Sequence, residues 1–248
     1  MSTPRFFVNC KVRVGSRVSL EKEIAHHIIH SLRLKKGEKL VLVDPSEREF
    51  ICSVEDVGRR EVQVHVLEES ENNPESPVHV AVGISLVTAS KLDTIIRHIT
   101  ELGVTEIIPF QAERSQLKCH HVQKRKRRLN EIAKSASQQS GRIKIPSVSD
   151  AVLLDELLER NDYALKLVSW EKETSKCIRD IYKEQQKADN VIVLIGPEGG
   201  FTEEEIQKSV EKGFKPFSLG PRILRCETAA IVSVALVQHY WGDLGIFS

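Results

Sequence analysis

From Val78 onward, short apolar runs alternate with amphipathic helical segments, and nothing else in the sequence constrains the fold as strongly. VHVAVGISL reads as a strand, and Leu92, Ile95, Ile96, Ile99 and Leu102 mark one face of a helix that Gly103 ends. VTEIIPF follows as a strand, then, after a basic segment, a helix around LLDELLER, a strand YALKLVSW, a helix through KCIRDIYKE and the strand VIVLI. Thr202 and Glu205 form a capping-box pattern opening a helix with Ile206 and Val210 inside and Gly213 at its end. A short strand KPFSL leads to ETAAIVSVALVQHYW, apolar nearly all round, which reads as a buried or interface helix. Such alternation implies a parallel α/β sheet with helices on both faces.

The first seventy residues read differently. FFVNCKVRV, KLVLVDPS, EFICSVEDV and EVQVHVLEE are strands of a small barrel or sheet, interrupted by a helix carrying Ile24, Ile28 and Leu32, capped by Ser19 and with Gly37 just beyond it. The polar stretch EESENNPESP puts a boundary near Asn73, dividing the chain into domains at residues 1–72 and 74–248. Its 40% hydrophobic and 29% charged residues suffice for folded cores. No run approaches the ~20 apolar residues of a membrane span, and the N-terminus lacks the apolar core of a signal peptide. Five scattered cysteines fit reduced thiols, so a cytoplasmic protein is expected. A net charge of +1 excludes a global polycation, so any nucleic-acid site is local.

Two loops are placed to carry chemistry. Gly196-Pro197-Glu198-Gly199-Gly200 joins the strand VIVLI to a capped helix at the strand's carboxyl end, where ligands bind in parallel sheets; alone, it equally suits a tight turn. It matches neither a phosphate loop nor a dinucleotide fingerprint. The second, LGPRILRCETA from Leu219 to Ala229, sets Arg222, Arg225 and Glu227 in apolar surroundings, where charges need partners. Pairing of Arg225 with Glu227 at the helix start and a functional role explain it equally well.

GPEGGFTEEE followed by LGPRILRCETAA, with KLDTIIRHITELGV, an upstream RFFV and HHIIHSLRLKKGEKL, resembles the RsmE family, bacterial methyltransferases acting on uridine N3 in small-subunit (16S) ribosomal RNA. The likeness spans essentially the whole chain. It implies a trefoil-knotted SPOUT methyltransferase domain behind a PUA-like β-barrel for RNA, S-adenosylmethionine as methyl donor, and a homodimer acting on ribosomal RNA or the assembled small subunit. The resemblance further implies that Leu194, Gly196, Pro197, Glu198, Gly199, Gly200, Leu219, Gly220, Ile223 and Leu224 bind the cofactor. His98 stands where the family usually carries Lys, and Gln138 where it commonly has Glu, both changes bearing on RNA contacts rather than on the cofactor loops. A non-catalytic ribosome-assembly factor and a sibling SPOUT methyltransferase with another target are the rival readings.

Methylating N3 requires stabilising a developing uracil anion and accepting a proton. Arg225 is the expected stabiliser, Glu198 or Glu227 the expected acceptor, and Glu227 beside Arg225 is the better placed to orient that arginine. Lys124, Arg125, Lys126, Arg127 and Arg128 form a basic run suited to phosphates, or to a solvated helix face. Arg5 and Arg33, with Lys35 and Lys36, are weaker RNA candidates, as are Arg114 and Arg142 in the second domain. Cys119-His120-His121 and His26, His27 and His30 lack zinc-site spacing, so no metal centre is expected. Cys226 reads as a small buried residue rather than a nucleophile, and Trp170 and Trp241 as core or interface residues.

Overall fold

The computed structural model describes residues 3–245, in two compact units: residues up to Glu75 with Ser137–Lys144, and Ser76–Ala136 with the remainder from Ile145.

In the first unit, β1 (Arg5–Phe7), β2 (Arg17–Glu21), β3 (Lys39–Val43), β4 (Glu49–Val57) and β5 (Glu61–Ser70) form a sheet in the order β1-β3-β4-β5-β2. The β1–β3 pair is parallel and the other pairs antiparallel. No ladder joins β1 to β2 among the described residues, so of the barrel or sheet read from the sequence the ladders show the sheet order from β1 to β2. FFVNCKVRV shrinks to a three-residue strand. Ser19 lies inside β2 and bonds Glu61 (3.2 Å), so it caps no helix; Glu21 takes that position without a side-chain cap. Helix α1 (Lys22–His26) widens into a π-helical turn, His27–Leu32, ended by Arg33 in the left-handed region (φ 54°). Buried Asp44 accepts from the Ser46, Val12 and Arg48 amides and the Arg48 guanidinium; these bonds outweigh its burial and hold its carboxyl below the usual range.

The second unit is a parallel sheet of β6 (His79–Ser85), β7 (Glu106–Gln111), β8 (Ser147–Val148), β9 (Val152–Leu153), β10 (Leu165–Ser169), β11 (Asn190–Ile195) and β12 (Lys215–Phe217). Its order is β12-β10-β11-β6-β7-β8, with β9 also on β7. Helices are α2 (Ala89–Glu101), α3 (Cys119–Gln123), α4 (Lys126–Ser140, shared with the first unit), α5 (Leu154–Leu158), α6 (Ile178–Glu184), α7 (Glu203–Glu211) and α8 (Cys226–Tyr240). Alternation along β11 shows why its run is continuously apolar: Val191, Val193 and Ile195 join the core with α2 and α8, while Ile192 and Leu194 join the opposite core with Leu157, Phe201 and Ile206. Gly83 faces Leu194 across β6–β11, and a Cβ there would stand 2.5 Å from Leu194 Cδ2.

Thr202 and Glu205 complete the expected capping box, Glu205 N donating to Thr202 Oγ1 at 3.2 Å and Thr202 N to Glu205 Oε2 at 2.9 Å. Val210 points outward, 44% exposed. Trp241 is buried and donates through Nε1 to the Gln185 carbonyl (2.9 Å). Along α8, Ala230, Val234 and Val237 are fully buried, and Gln238 Nε2 donates to the Leu102 carbonyl (2.9 Å), fastening this helix to the end of α2.

Candidate active site

The carboxyl ends of β10, β11 and β12 enclose a cleft of about 580 Å³. Its walls come from Trp170 and Glu171 after β10, from residues 195–200 after β11 and from Leu219 to Cys226 before α8; Lys91 enters from α2. The two loops singled out in the sequence thus share one cavity.

The first loop is a closed turn, with Gly200 N donating to the Pro197 carbonyl at 2.9 Å. Gly200 has φ 68°, which disfavours any L-side chain, and a Cβ there would run into the Glu171 carboxylate. Gly196 leaves room for the ring of Phe201, buried and stacked on Phe110. Arg114 Nη1 donates to the Gly199 carbonyl (2.8 Å), so this expected RNA residue braces the turn. Glu198 is ion-paired with Lys91 and accepts from Gln116 Nε2 at 3.0 Å. The Lys91 hydrogen bond holds the Glu198 carboxyl below its usual range and in return raises the Lys91 ammonium. An anion so stabilised is a weak base.

In the second loop Gly220 has φ 107°, again a glycine conformation. Ile223 is 87% exposed, while Leu219 and Leu224 are half-buried along the cleft. Arg225 occupies the N-cap of α8, exposed. No ion pair joins it to Glu227 among the described residues, and Glu227 Oε2 is buried without a hydrogen-bond partner, so of the two readings of this segment the structure gives the pairing no support. Both residues lie within electrostatic reach of Lys91. Cys226 is buried, and burial, then the charges of Glu227 and Glu198, pushes its thiol up to about 12, so it is no nucleophile near neutrality.

Several expectations need correction. Leu194 packs in the core rather than the cleft, because alternation turns Ile195 there instead. Trp170 packs against the core as expected but also lines the cleft, its buried Nε1 without a hydrogen-bond partner among the described residues. Arg5 is paired with Glu49 (2.5 Å) and Arg142 with Glu75 (2.6 Å), all four side chains at most 9% exposed, so neither arginine is free for phosphate. Arg142 belongs to the first unit, not the second.

The basic run spans the turn between α3 and α4 and the first residues of α4, and it is largely committed. Arg125 donates to both oxygens of buried Asp93 (2.9 and 3.1 Å), and Arg128 Nε donates to Asp93 Oδ2 (2.9 Å). Lys126 pairs with Asp150 (2.8 Å) and Arg127 with Glu131 (2.9 Å) on the surface. Lys124 alone in the run has no ion pair among the described residues. Solvent competes readily for the two surface pairs and less for the Arg125–Asp93 pair, whose side chains are 23% and 12% exposed. No group of three or more His, Cys, Asp or Glu among the described residues could hold a metal ion, and no helix is long and apolar enough to cross a membrane.

Sequence spacing gave no sign of Lys91 and Gln116, which meet Glu198 only through the fold, or of Glu171. Lys91 does stand in the KLDTIIRHITELGV segment, the one available signal.

A glycine-turn cleft at the end of a parallel sheet, with a β-rich unit before it, defines a class that comparison with known proteins supplies. Residues 74–238 match the RNA methyltransferase domain family, and residues 20–67 the RNA methyltransferase PUA domain. The chain is similar to ribosomal RNA small subunit methyltransferase E of Bacillus subtilis, 31% identical over 95% of this chain and 96% of that protein. Its structure is similar to a putative methyltransferase of Legionella pneumophila in complex with the cofactor SAM (TM-score 0.89, 33% identity, covering 98% of this chain and 100% of that one). A Neisseria gonorrhoeae ribosomal RNA small subunit methyltransferase E bound to S-adenosyl methionine also has TM-score 0.89, with 31% identity and coverage of 98% and 99%. The chain therefore belongs to the ribosomal RNA small subunit methyltransferase E family.

Proposed function

We propose that this protein methylates uridine N3 in small-subunit (16S) ribosomal RNA, using S-adenosylmethionine. One observation carries the reading: loops 196–200 and 219–225 line a single cleft at the carboxyl ends of three parallel strands. The cleft suits the donor. About 580 Å³ falls within the range of cofactor pockets, Ile195, Leu219 and Leu224 offer an apolar slot for adenine, and Trp170 Nε1 is a buried donor lacking an acceptor. In this reading residues 1–72 are a PUA-like RNA module and 74–248 a SPOUT domain knotted as a trefoil. The protein acts in the cytoplasm as a homodimer, with the partly uncovered apolar face of α8 in the interface.

S-adenosylmethionine, when bound, supplies an electrophilic methyl group. Gly196, Pro197, Gly199, Gly200, Leu219, Gly220, Ile223 and Leu224 hold its adenosine; Glu198, locked to Lys91, fixes the first turn. Holding reacting atoms in near-attack geometry contributes ~7–11 kcal/mol, against roughly 3–5 kcal/mol for a general base, so rigidity of these turns outweighs proton transfer. Arg225 faces the uracil and stabilises negative charge on its carbonyl oxygens. Glu227 accepts the N3 proton on its unpartnered Oε2, the role that the Lys91 pairing denies Glu198.

The test is methyl transfer from labelled S-adenosylmethionine to ribosomal RNA, naked or assembled, with the site mapped by mass spectrometry in RNA from cells lacking the protein. The expected result is one unmethylated uridine in those cells, restored by the purified enzyme. A complete set of native methyl groups in those cells would refute the proposal.

A further inference from the structure

The first unit contains a second cavity, of about 480 Å³, which no role described above uses. It is lined by Lys22, His26, Ile29 and His30, by Arg59 and Arg60 in the turn between β4 and β5, and by the carboxylates of Glu21 and Glu61. We propose that this cavity seats one nucleotide of single-stranded RNA, the base against the histidine pair and Ile29, and the adjacent phosphates on Arg59, Arg60 and Lys22. The proposal rests on the RNA-methyltransferase reading for its choice of ligand, and moves the RNA contact of this unit away from Arg5.

Charge points to a polyanion. Arg5, Arg17, Arg48 and Arg142 of the same unit sit in ion pairs; of its cations with no ion pair among the described residues, Lys22, Arg59 and Arg60 converge on this one cavity. Three uncommitted cations around one cavity suit successive phosphates better than a lone carboxylate does. The remaining lining suits a base. His26 and His30 stand one turn apart, with ring centroids 4.5 Å from each other, both exposed, and Ile29 adds an apolar contact. Paired rings with an aliphatic neighbour form the kind of platform on which unpaired bases stack. The two carboxylates in the lining offer acceptors for N–H groups of a base, which a pure phosphate site would exclude.

Backbone geometry converges on the same place. Lys22 enters α1 at φ 54°, a conformation costly for a residue with a Cβ, and the helix then widens into the π-turn that follows His26. Both are departures that concentrate at functional sites, and here they shape one wall of the cavity.

The experiment uses the full chain and a fluorescently labelled hexauridine, with affinity measured by anisotropy between about 50 and 200 mM salt. Three double variants are compared: Arg59→Gln with Arg60→Gln, His26→Ala with His30→Ala, and Lys11→Gln with Arg13→Gln, which removes the same charge elsewhere on the unit. The arginine pair should lower the slope of log K against log salt by about 1.4, two phosphates at ~0.7 each. Loss of the histidines should weaken binding about tenfold with the slope unchanged. The Lys11 and Arg13 changes should leave the slope alone, and inorganic phosphate at equal ionic strength should displace no RNA. Equal loss in all three variants, loss in none, or displacement by phosphate overturns the proposal. Methyl transfer by the wild-type protein is scored separately: RNA binding without it would sink the proposed function and leave this seat standing, while methylation by variants of undiminished affinity would do the reverse.

Discussion

Replacing Gly200 separates backbone geometry from space at the cofactor turn. At φ 68°, an added Cβ meets the end of the Glu171 side chain, which is exposed and free to swing away. The steric conflict is therefore cheap, and the conformational one is not. A left-handed backbone costs an L-residue roughly 1–2 kcal/mol, and more with a β-branch. Escape to negative φ would break the Gly200 N to Pro197 O bond and redirect the chain just before buried Phe201 and the Thr202 cap. Gly200→Ala should thus lower Tm by roughly 2–8 °C, taking ~2–4 °C per kcal/mol for a chain of this size. If only the bound state demands the turn, the same penalty emerges as a ~5- to 30-fold weaker S-adenosylmethionine Kd by calorimetry. Gly200→Val should be worse on both counts. A folded Gly200→Val protein with unchanged Tm and cofactor affinity within twofold of wild type would refute this account of the turn.

Glu198→Gln should leave the acidic limb of the methyl-transfer pH–rate profile in place. The wild-type carboxylate, depressed by Lys91, is charged throughout the assay range; disappearance of the limb would make Glu198 the base. The latch itself should persist from above the ordinary carboxylate value of 4.5 up to the ordinary lysine value of 10.5, weakening below as Glu198 protonates and above as Lys91 loses its proton. Cys226, raised to about 12 from 9.0, keeps its proton where the unfolded chain has lost it, so its contribution to stability should fall as pH rises through that window. Alkylation of the native protein should accordingly mark exposed Cys10 and spare Cys226, as read by peptide mass mapping. Glu75→Ala removes the carboxylate that the buried Arg142 guanidinium and the Ile143 and Lys144 amides share, and should cost about 3–5 kcal/mol in chemical denaturation. Asp93→Ala should destabilise by about 2 kcal/mol and, by freeing Arg125 and Arg128, steepen the salt dependence of RNA binding.

What the sequence disclosed follows from the range of the interactions involved. β11 and the capping box of α7 were legible because each depends on a few adjacent residues: an unbroken apolar run, and a Thr three positions before a Glu. Helix α4 was missed because its charged start masks a weak stripe of Leu129, Ile132, Ala133 and Ala136, of which Leu129 and Ala133 are fully buried. β8 and β9, two residues each, carry no periodicity at all. Ser19 misled because a cap preference cannot be told from a solvent-facing strand position until the pairing with β5 is known. At the site the glycine turns were readable, since their backbone demands are local. The partners of the charges were not: Lys91 and Glu198 are 107 positions apart, and Arg125, in the turn before α4, meets a buried carboxylate that α2 presents, Asp93, 32 positions away.

That division of partners has a consequence for catalysis. Lys91 and Glu198 neutralise each other and hold the first turn, while Glu171, Arg222 and Arg225 enter no ion pair among the described residues, and Glu227 keeps a buried oxygen unsatisfied. A cleft whose charges were all paired internally would have to break those pairs before meeting a substrate, at the cost that preorganised sites avoid. Here one pair is spent on rigidity, while Glu171, Arg222 and Arg225 line the cleft outside any ion pair among the described residues. Substitutions at Lys91 should therefore act through the order of residues 196–200, and those at Arg225 through charge stabilisation at an intact turn.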